Sequence, residues 1–164
     1  MNGMNDEKER FFTQTVRERS PSLWRIAFSI LRSGADAEDA VADAVEKTWE
    51  HLDRIRSDGA IPFYLMKCTV NAAHDELRRR KRLTPFESLE DTPAGPERER
   101  GIADYVAGLE EKYRLPLLLK YDENMKEKEI AFVLRLPRGT VSSRISRGLD
   151  MLRKQMEKED TDHE

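Results

Sequence analysis

LRLPRGTVSSRISRGLDMLRK, residues 134–154, follows on the apolar-periodic stretch KEKEIAFVL, residues 126–134. In the first helix, Ile130, Ala131, Val133 and Leu134 form an inward face, and small Ala131 lets a second helix cross closely. Leu136 plugs the turn Arg135-Leu136-Pro137. Beyond it, Val141, Ile145, Leu149 and Leu152 recur every three or four residues, which predicts a helix from about residue 138 to 156. Thr140, Ser143, Arg144 and Arg147 occupy its other side. A small residue, a short turn and a second helix with a polar N-terminal half are what a helix-turn-helix needs. Short hydroxyls and arginines reach base edges and phosphates. An amphipathic hairpin with merely solvated arginines satisfies the same spacing, so periodicity alone leaves both readings open.

The rest of the chain narrows the choice. At 164 residues, with 38% hydrophobic and 37% charged side chains, it suits two small helical domains better than one deep core. Strand signals are nearly absent, and the expected fold is all-α. Helices are expected over Asp6–Arg19, with Phe11, Phe12 and Val16 inward, and from Pro21 to Ser33-Gly34, with Ser20 as N-cap. A third opens at Asp36 with Val41, Val45, Thr48, Trp49 and Leu52 inward, and a fourth covers residues 61–82. Trp24, Phe28 and Trp49 read as core. Residues 83–100, with three prolines and no sustained period, read as an interdomain linker in which Phe86 and Leu89 can touch a domain surface. Helices near 97–110, 112–122, 126–134 and 138–156 follow, and the tail EKEDTDHE should fray. The expected domains are residues 1–82 and 101–164.

The net charge of −3 argues weakly against non-specific nucleic-acid binding, but the charge is segregated: DAEDAVADAVE is acidic, while LRRRKR and the stretch after Pro137 are basic. Lone Cys68 excludes an internal disulfide framework and reads as a packing thiol. No signal core or membrane-length apolar run is present, so a cytoplasmic protein without membrane insertion is expected. His74 beside Asp75 suggests acid–base chemistry, but neighbours on a helix do not face each other and no nucleophile or phosphate loop accompanies them. No catalytic residue, metal site or cofactor is expected.

DENMKEKEIAFVLRLPRGTVSSRISRGLDMLRK resembles the promoter-recognition helix-turn-helix of bacterial RNA polymerase sigma factors of the extracytoplasmic-function (ECF) type, through Glu129-Ile130-Ala131 and the run Gly139 to Arg147. YRLPLLLKY is similar to the helix preceding it in that family. Three positions depart: Ser142 stands where lysine is usual, Gly148 where alanine is usual, and Leu149 where a basic residue is common. DAEDAVADAVEKTWEHLDRI resembles the family's polymerase-docking segment through Asp36, Ala37, Glu38, Asp39, Val41 and Asp43, with Ala42 replacing glutamine and Val45 phenylalanine. PFYLMKCTVNAAHDELRRRKR is similar to its −10 segment through Phe63, Tyr64, Lys67, Asn71, Asp75 and Arg78 to Arg82.

The resemblance implies a two-domain sigma factor, not an enzyme. Asp36, Glu38, Asp39 and Asp43 would bind the β′ clamp helices of core RNA polymerase, and the second domain its β flap. Phe63, Tyr64, Lys67, Asn71, Arg78, Arg79, Arg80, Lys81 and Arg82 would melt and read the −10 element of promoter DNA, with Asn71 lining a pocket for a flipped base. Arg138, Thr140, Ser142, Ser143, Arg144 and Arg147 would read the −35 element. An anti-sigma factor is an implied further partner. A conventional helix-turn-helix regulator and a helical anti-sigma-like interaction protein are the alternatives.

Overall fold

The computed structural model describes residues 2–83 and 101–163; the expected linker, with Phe86 and Leu89, lies almost wholly outside them. The chain divides into two compact units, Met1–Pro93 and Ala94–Glu164. Among the described residues there is helix and turn but no strand.

The first unit packs three long helices: α1 (Asn2–Leu31), α2 (Gly34–Glu50) and α3 (Ile61–Leu83), with 3₁₀ turns at Leu52–Arg54 and Asp58–Ala60. The expected break at Ser20-Pro21 does not occur, and Pro21 sits inside α1. An interior proline costs about 3 kcal/mol through its missing N–H and its ring. Here one stripe runs across it without losing period, from Phe12 and Thr15 to Leu23, Ala27, Ile30 and Leu31, all buried. Burial of that stripe outweighs the local preference. Ser20 is not an N-cap; its hydroxyl donates back to the Val16 carbonyl.

α1 closes on Arg32, which is left-handed at φ 53. Ser33 then caps α2: its backbone is extended, and its hydroxyl accepts the Asp36 N–H at 3.3 Å. Asp36 therefore lies in the first turn rather than opening the helix. The buried face of α2 is Ala37, Ala40, Ala44 and Thr48, offset from the expected valine stripe. Alanines let α2 lie close against its neighbours, and Val41 and Val45 are left half-buried at the flank. Trp49 is not core: it is 50% exposed, its ring centroid 5.6 Å from that of Phe12. Trp24 and Phe28 stack at 4.9 Å and are half-buried. In α3 the buried residues run from Ile61 through Leu65, Met66, Cys68, Thr69 and Val70 to Ala73.

The second unit contains α4 (Ile102–Val106), α5 (Glu111–Leu117) running into a π turn at Leu118–Asp122, α6 (Glu127–Leu134) and α7 (Arg138–Asp162). The helix expected near 97–110 is only α4 in the described residues. Pro116 lies inside α5, and a wider π turn follows it, closed by the Glu123 N–H donating to the Leu118 carbonyl at 3.1 Å. The Lys126 N–H donates to the Glu129 carboxylate at 2.8 Å, starting α6. Arg135, left-handed at φ 56, ends it, and the Leu136 N–H returns to the Ala131 carbonyl at 3.1 Å. That is a helix C-cap without glycine, at a cost of about 1–2 kcal/mol.

α7 buries Val141, Ile145, Gly148 and Leu152. Glycine replaces the expected Leu149 contact for a steric reason. A Cβ at Gly148 would stand 2.8 Å from Leu117 Cδ1 and 3.5 Å from Tyr113 Cβ. The absent side chain lets α7 settle onto α5. The tail does not fray at Glu157; α7 continues to Asp162.

Candidate functional site

Two exposed surfaces carry the candidate residues, one in each unit. On α2, Asp36, Asp39 and Asp43 lie on one side and line a groove shared with Asp75, Glu76, Arg79 and Arg82 of α3. Glu38 does not join them. At about 100° per residue it lies about 200° around the helix from Asp36, and it is exposed. Asp39 and Asp43 are exposed as well, whereas Asp36 is partly covered because it pairs with Arg80.

On α3 the same arithmetic sorts the expected DNA residues. Phe63, Tyr64, Lys67, Asn71, Arg78, Lys81 and Arg82 fall within about 100° of arc. Phe63, Tyr64, Lys67 and Asn71 are half-buried, while Arg78, Lys81 and Arg82 are exposed. Arg79 lies just outside that arc. Arg80 points the opposite way, in line with buried Met66, Thr69 and Ala73.

Acids meet much of this basic tail. Arg78 pairs with Asp75. Arg79 holds Glu76 through two hydrogen bonds of 2.9 Å, and Glu76 keeps its guanidinium protonated beyond the ordinary range. Arg80 pairs with Asp36, donates to the Leu31 carbonyl at 2.8 Å, and has Glu76 3.7 Å from its Nε. Lys81 and Arg82 form no ion pair among the described residues. Nearer the start of α3, burial pushes the Cys68 thiol and the Tyr64 phenol up from their ordinary values.

The α7 surface differs. Pro137, with ψ 145, delivers the chain from the α6 turn into the helix. Arg138, Ser142, Ser143 and Arg147 are exposed, and Thr140 and Arg144 are half-buried. Thr140, Ser143, Arg144 and Arg147 line a groove that Lys112 of α5 closes from the other side. Arg138 and Ser142 stand outside it. Among the described residues, the side chains of Arg138, Arg144 and Arg147 make neither an ion pair nor a hydrogen bond. Lys112 was invisible to sequence reasoning, because only the crossing of α5 over α7 brings it there. Its own neighbours are weak: Glu110 at 3.8 Å, and the Tyr113 ring with its centroid at 5.1 Å.

No group of three or more His, Cys, Asp or Glu that could hold a metal occurs among the described residues. No described helix is long and apolar enough to cross a membrane.

With this geometry in place, the chain can be set beside known proteins. Residues 15–83 match the family Sigma-70 region 2, and residues 100–152 match Sigma-70, region 4. RNA polymerase sigma factor SigV of Bacillus subtilis is 28% identical over 150 residues, covering 88% of this chain and 90% of that protein. ECF RNA polymerase sigma factor SigM of Mycobacterium tuberculosis is 30% identical over 142 residues, covering 83% of this chain and 72% of the relative. Among solved structures, the sigma factor RpoE of Bartonella quintana, in complex with the anti-sigma factor NepR, superposes with a TM-score of 0.76. It is 21% identical, and the match covers 89% of this chain and 96% of that one. That likeness speaks for the fold.

Proposed function

The chain belongs to the ECF group of the sigma-70 family and directs core RNA polymerase to promoters, and from that premise we propose how its residues divide the work. Asp39 and Asp43 dock on the basic clamp helices of the polymerase β′ subunit, and Glu38, about 100° around the helix from Asp39, stands apart from that stripe. The α3 arc of Phe63, Tyr64, Lys67, Asn71, Arg78, Lys81 and Arg82 opens and reads the −10 element. Its carboxamide and aromatic faces meet unstacked bases, and its cations hold the single strand. Arg138, Thr140, Ser142, Ser143, Arg144 and Arg147 read the −35 element in duplex form, with Lys112 adding a phosphate contact at the groove's far wall. The second unit, around residues 101–164, is the part that meets the β flap.

One observation carries this division: Arg144 and Arg147 stand unpaired beside the Thr140 and Ser143 hydroxyls, on a helix entered through a tight turn. A solvated structural hairpin has no need to leave such a groove free of acid. Lys112 at its edge is weakly held and free to turn to a phosphate. No chemistry is assigned to the chain itself; nucleotide polymerisation belongs to the core enzyme. The site of action is the cytoplasm, and an anti-sigma factor covering the polymerase-binding surfaces is a fitting further partner, as NepR is for the Bartonella protein.

Transcription in vitro from genomic promoters, with purified core polymerase, tests the assignment. Asp39→Arg with Asp43→Arg should abolish association with the core while leaving the helical circular dichroism intact. Unchanged capture by the polymerase would refute the docking role. The free chain should bind duplex promoter weakly, because each reader gains effective concentration only once the other is held.

A further inference from the structure

We propose that Arg80 is a positioning residue rather than a DNA contact: with Asp36 and the Leu31 carbonyl it locks the promoter-reading end of α3 to the start of the docking helix α2. The inference rests on the reading of α3 as the −10 interface. It begins with placement. Arg80 lies on the side of α3 opposite Asn71 and Arg82, in line with the buried residues, and its side chain is only 24% exposed. A phosphate approaching the exposed arc does not meet it.

Its three contacts each answer a local need. Leu31 is the last residue of α1, so its carbonyl has no partner within its own helix. A cation is favoured at that negative helix end. Asp36 sits in the first turn of α2, and Glu76 one turn earlier on α3. A guanidinium, with five donors in a rigid planar fork, holds a carbonyl and two carboxylates in one fixed geometry, which the compact ammonium of lysine does not impose. The last buried residue of α3 is Ala73. Arg80 therefore ties down the turns beyond it, which carry Arg78, Lys81 and Arg82. Asp36 in turn is committed inward, and the docking stripe narrows to Asp39 and Asp43.

The full-length chain, core polymerase and a promoter with a fluorescent base in the −10 element provide the test. Arg80→Gln, Asp36→Asn and the double variant should each slow promoter opening by about tenfold, the double no more than the singles, since one coupled contact is lost once. Polymerase affinity should hold within about twofold, and the salt dependence of DNA binding should stay unchanged. Arg80→Lys is decisive, because it keeps the charge a phosphate would need but loses the fork; it too should open slowly. Multiplicative losses in the double variant, wild-type opening by Arg80→Lys, or a shallower salt slope for Arg80→Gln would each overturn the proposal. Asn71→Ala and Arg82→Gln serve as controls on the premise. If both open promoters normally, the −10 assignment fails, and the lock is then judged by thermal unfolding of the same variants. Non-additive loss of Tm supports it and additive loss overturns it.

Discussion

The basic end of α3 and the basic start of α7 look alike as strings of arginines and differ as surfaces. Arg78, Arg79 and Arg80 each face a carboxylate supplied by the same unit, whereas Arg138, Arg144 and Arg147 face none among the described residues. The bare surface is the one assigned to double-stranded DNA, where positive charge releases condensed counterions and gives affinity directly. The self-neutralised surface is assigned to melted DNA, where aromatic faces and a carboxamide carry more of the recognition. A chain of net charge −3 can thus hold a site of strong positive field, provided its acids gather elsewhere. Counting arginines does not reveal which ones are available.

The comparison breaks most visibly at the bare surface. Arg144→Ala with Arg147→Ala should abolish transcription from promoters that depend on a −35 element. In DNA-binding titrations of the holoenzyme, the salt slope should fall by about 1.8, the value for two lost phosphate contacts. A preserved slope would mean that those arginines touch no phosphate. The reverse experiment is to strip the other surface of its acids. Asp75→Asn with Glu76→Gln frees Arg78 and Arg79 and should raise single-strand affinity several-fold while steepening its salt dependence by about 0.7 per released cation. Equal affinity would show that the pairs already open at no cost, as exposed pairs worth about 0–1 kcal/mol can.

Smaller effects test what holds each surface in place. Gly148→Ala gains about 1 kcal/mol of helix propensity but forces a Cβ into fully buried Leu117, and overpacking costs about 1–3 kcal/mol. The expected net loss is about 1 kcal/mol, read as a lower urea midpoint of the full chain. A gain would show that Leu117 yields. Under α3, burial keeps the Cys68 thiol and Tyr64 phenol protonated to higher pH than in the unfolded chain. The unfolded state therefore binds fewer protons above the ordinary thiol range, and stability should decline modestly as pH rises through it. Urea midpoints at about pH 8 and about pH 10 check the sign.

Much of this was legible because it is local. The turn at Arg135-Leu136-Pro137, the apolar spacing of α7 and the acidic start of α2 follow from period and turn chemistry within a few residues, whereas the set from Phe63 to Asn71 was picked out by family resemblance alone. What escaped depended on contacts distant in sequence. Pro21 reads as a helix start until the stripe from Phe12 to Leu31 is seen to need one continuous face. Valines outrank alanines as core in α2 until helix proximity decides otherwise, and Trp49 moves outward with that shift. Lys112 carries no spacing signal. Arg80 did carry one, at the helical interval beyond Ala73 and Leu77, but the surrounding run of charge concealed it.

The reach of α7 has a practical side. Leu152 is its last buried residue, yet the helix continues to Asp162, and ten further residues at 1.5 Å each make a rod of about 15 Å. That rod shares one rigid axis with the recognition turns. A dye or spin label on its outer end, at Lys158 for instance, would act as an antenna: it would report the tilt of the reading helix as the promoter is engaged, without occupying any surface that engages it.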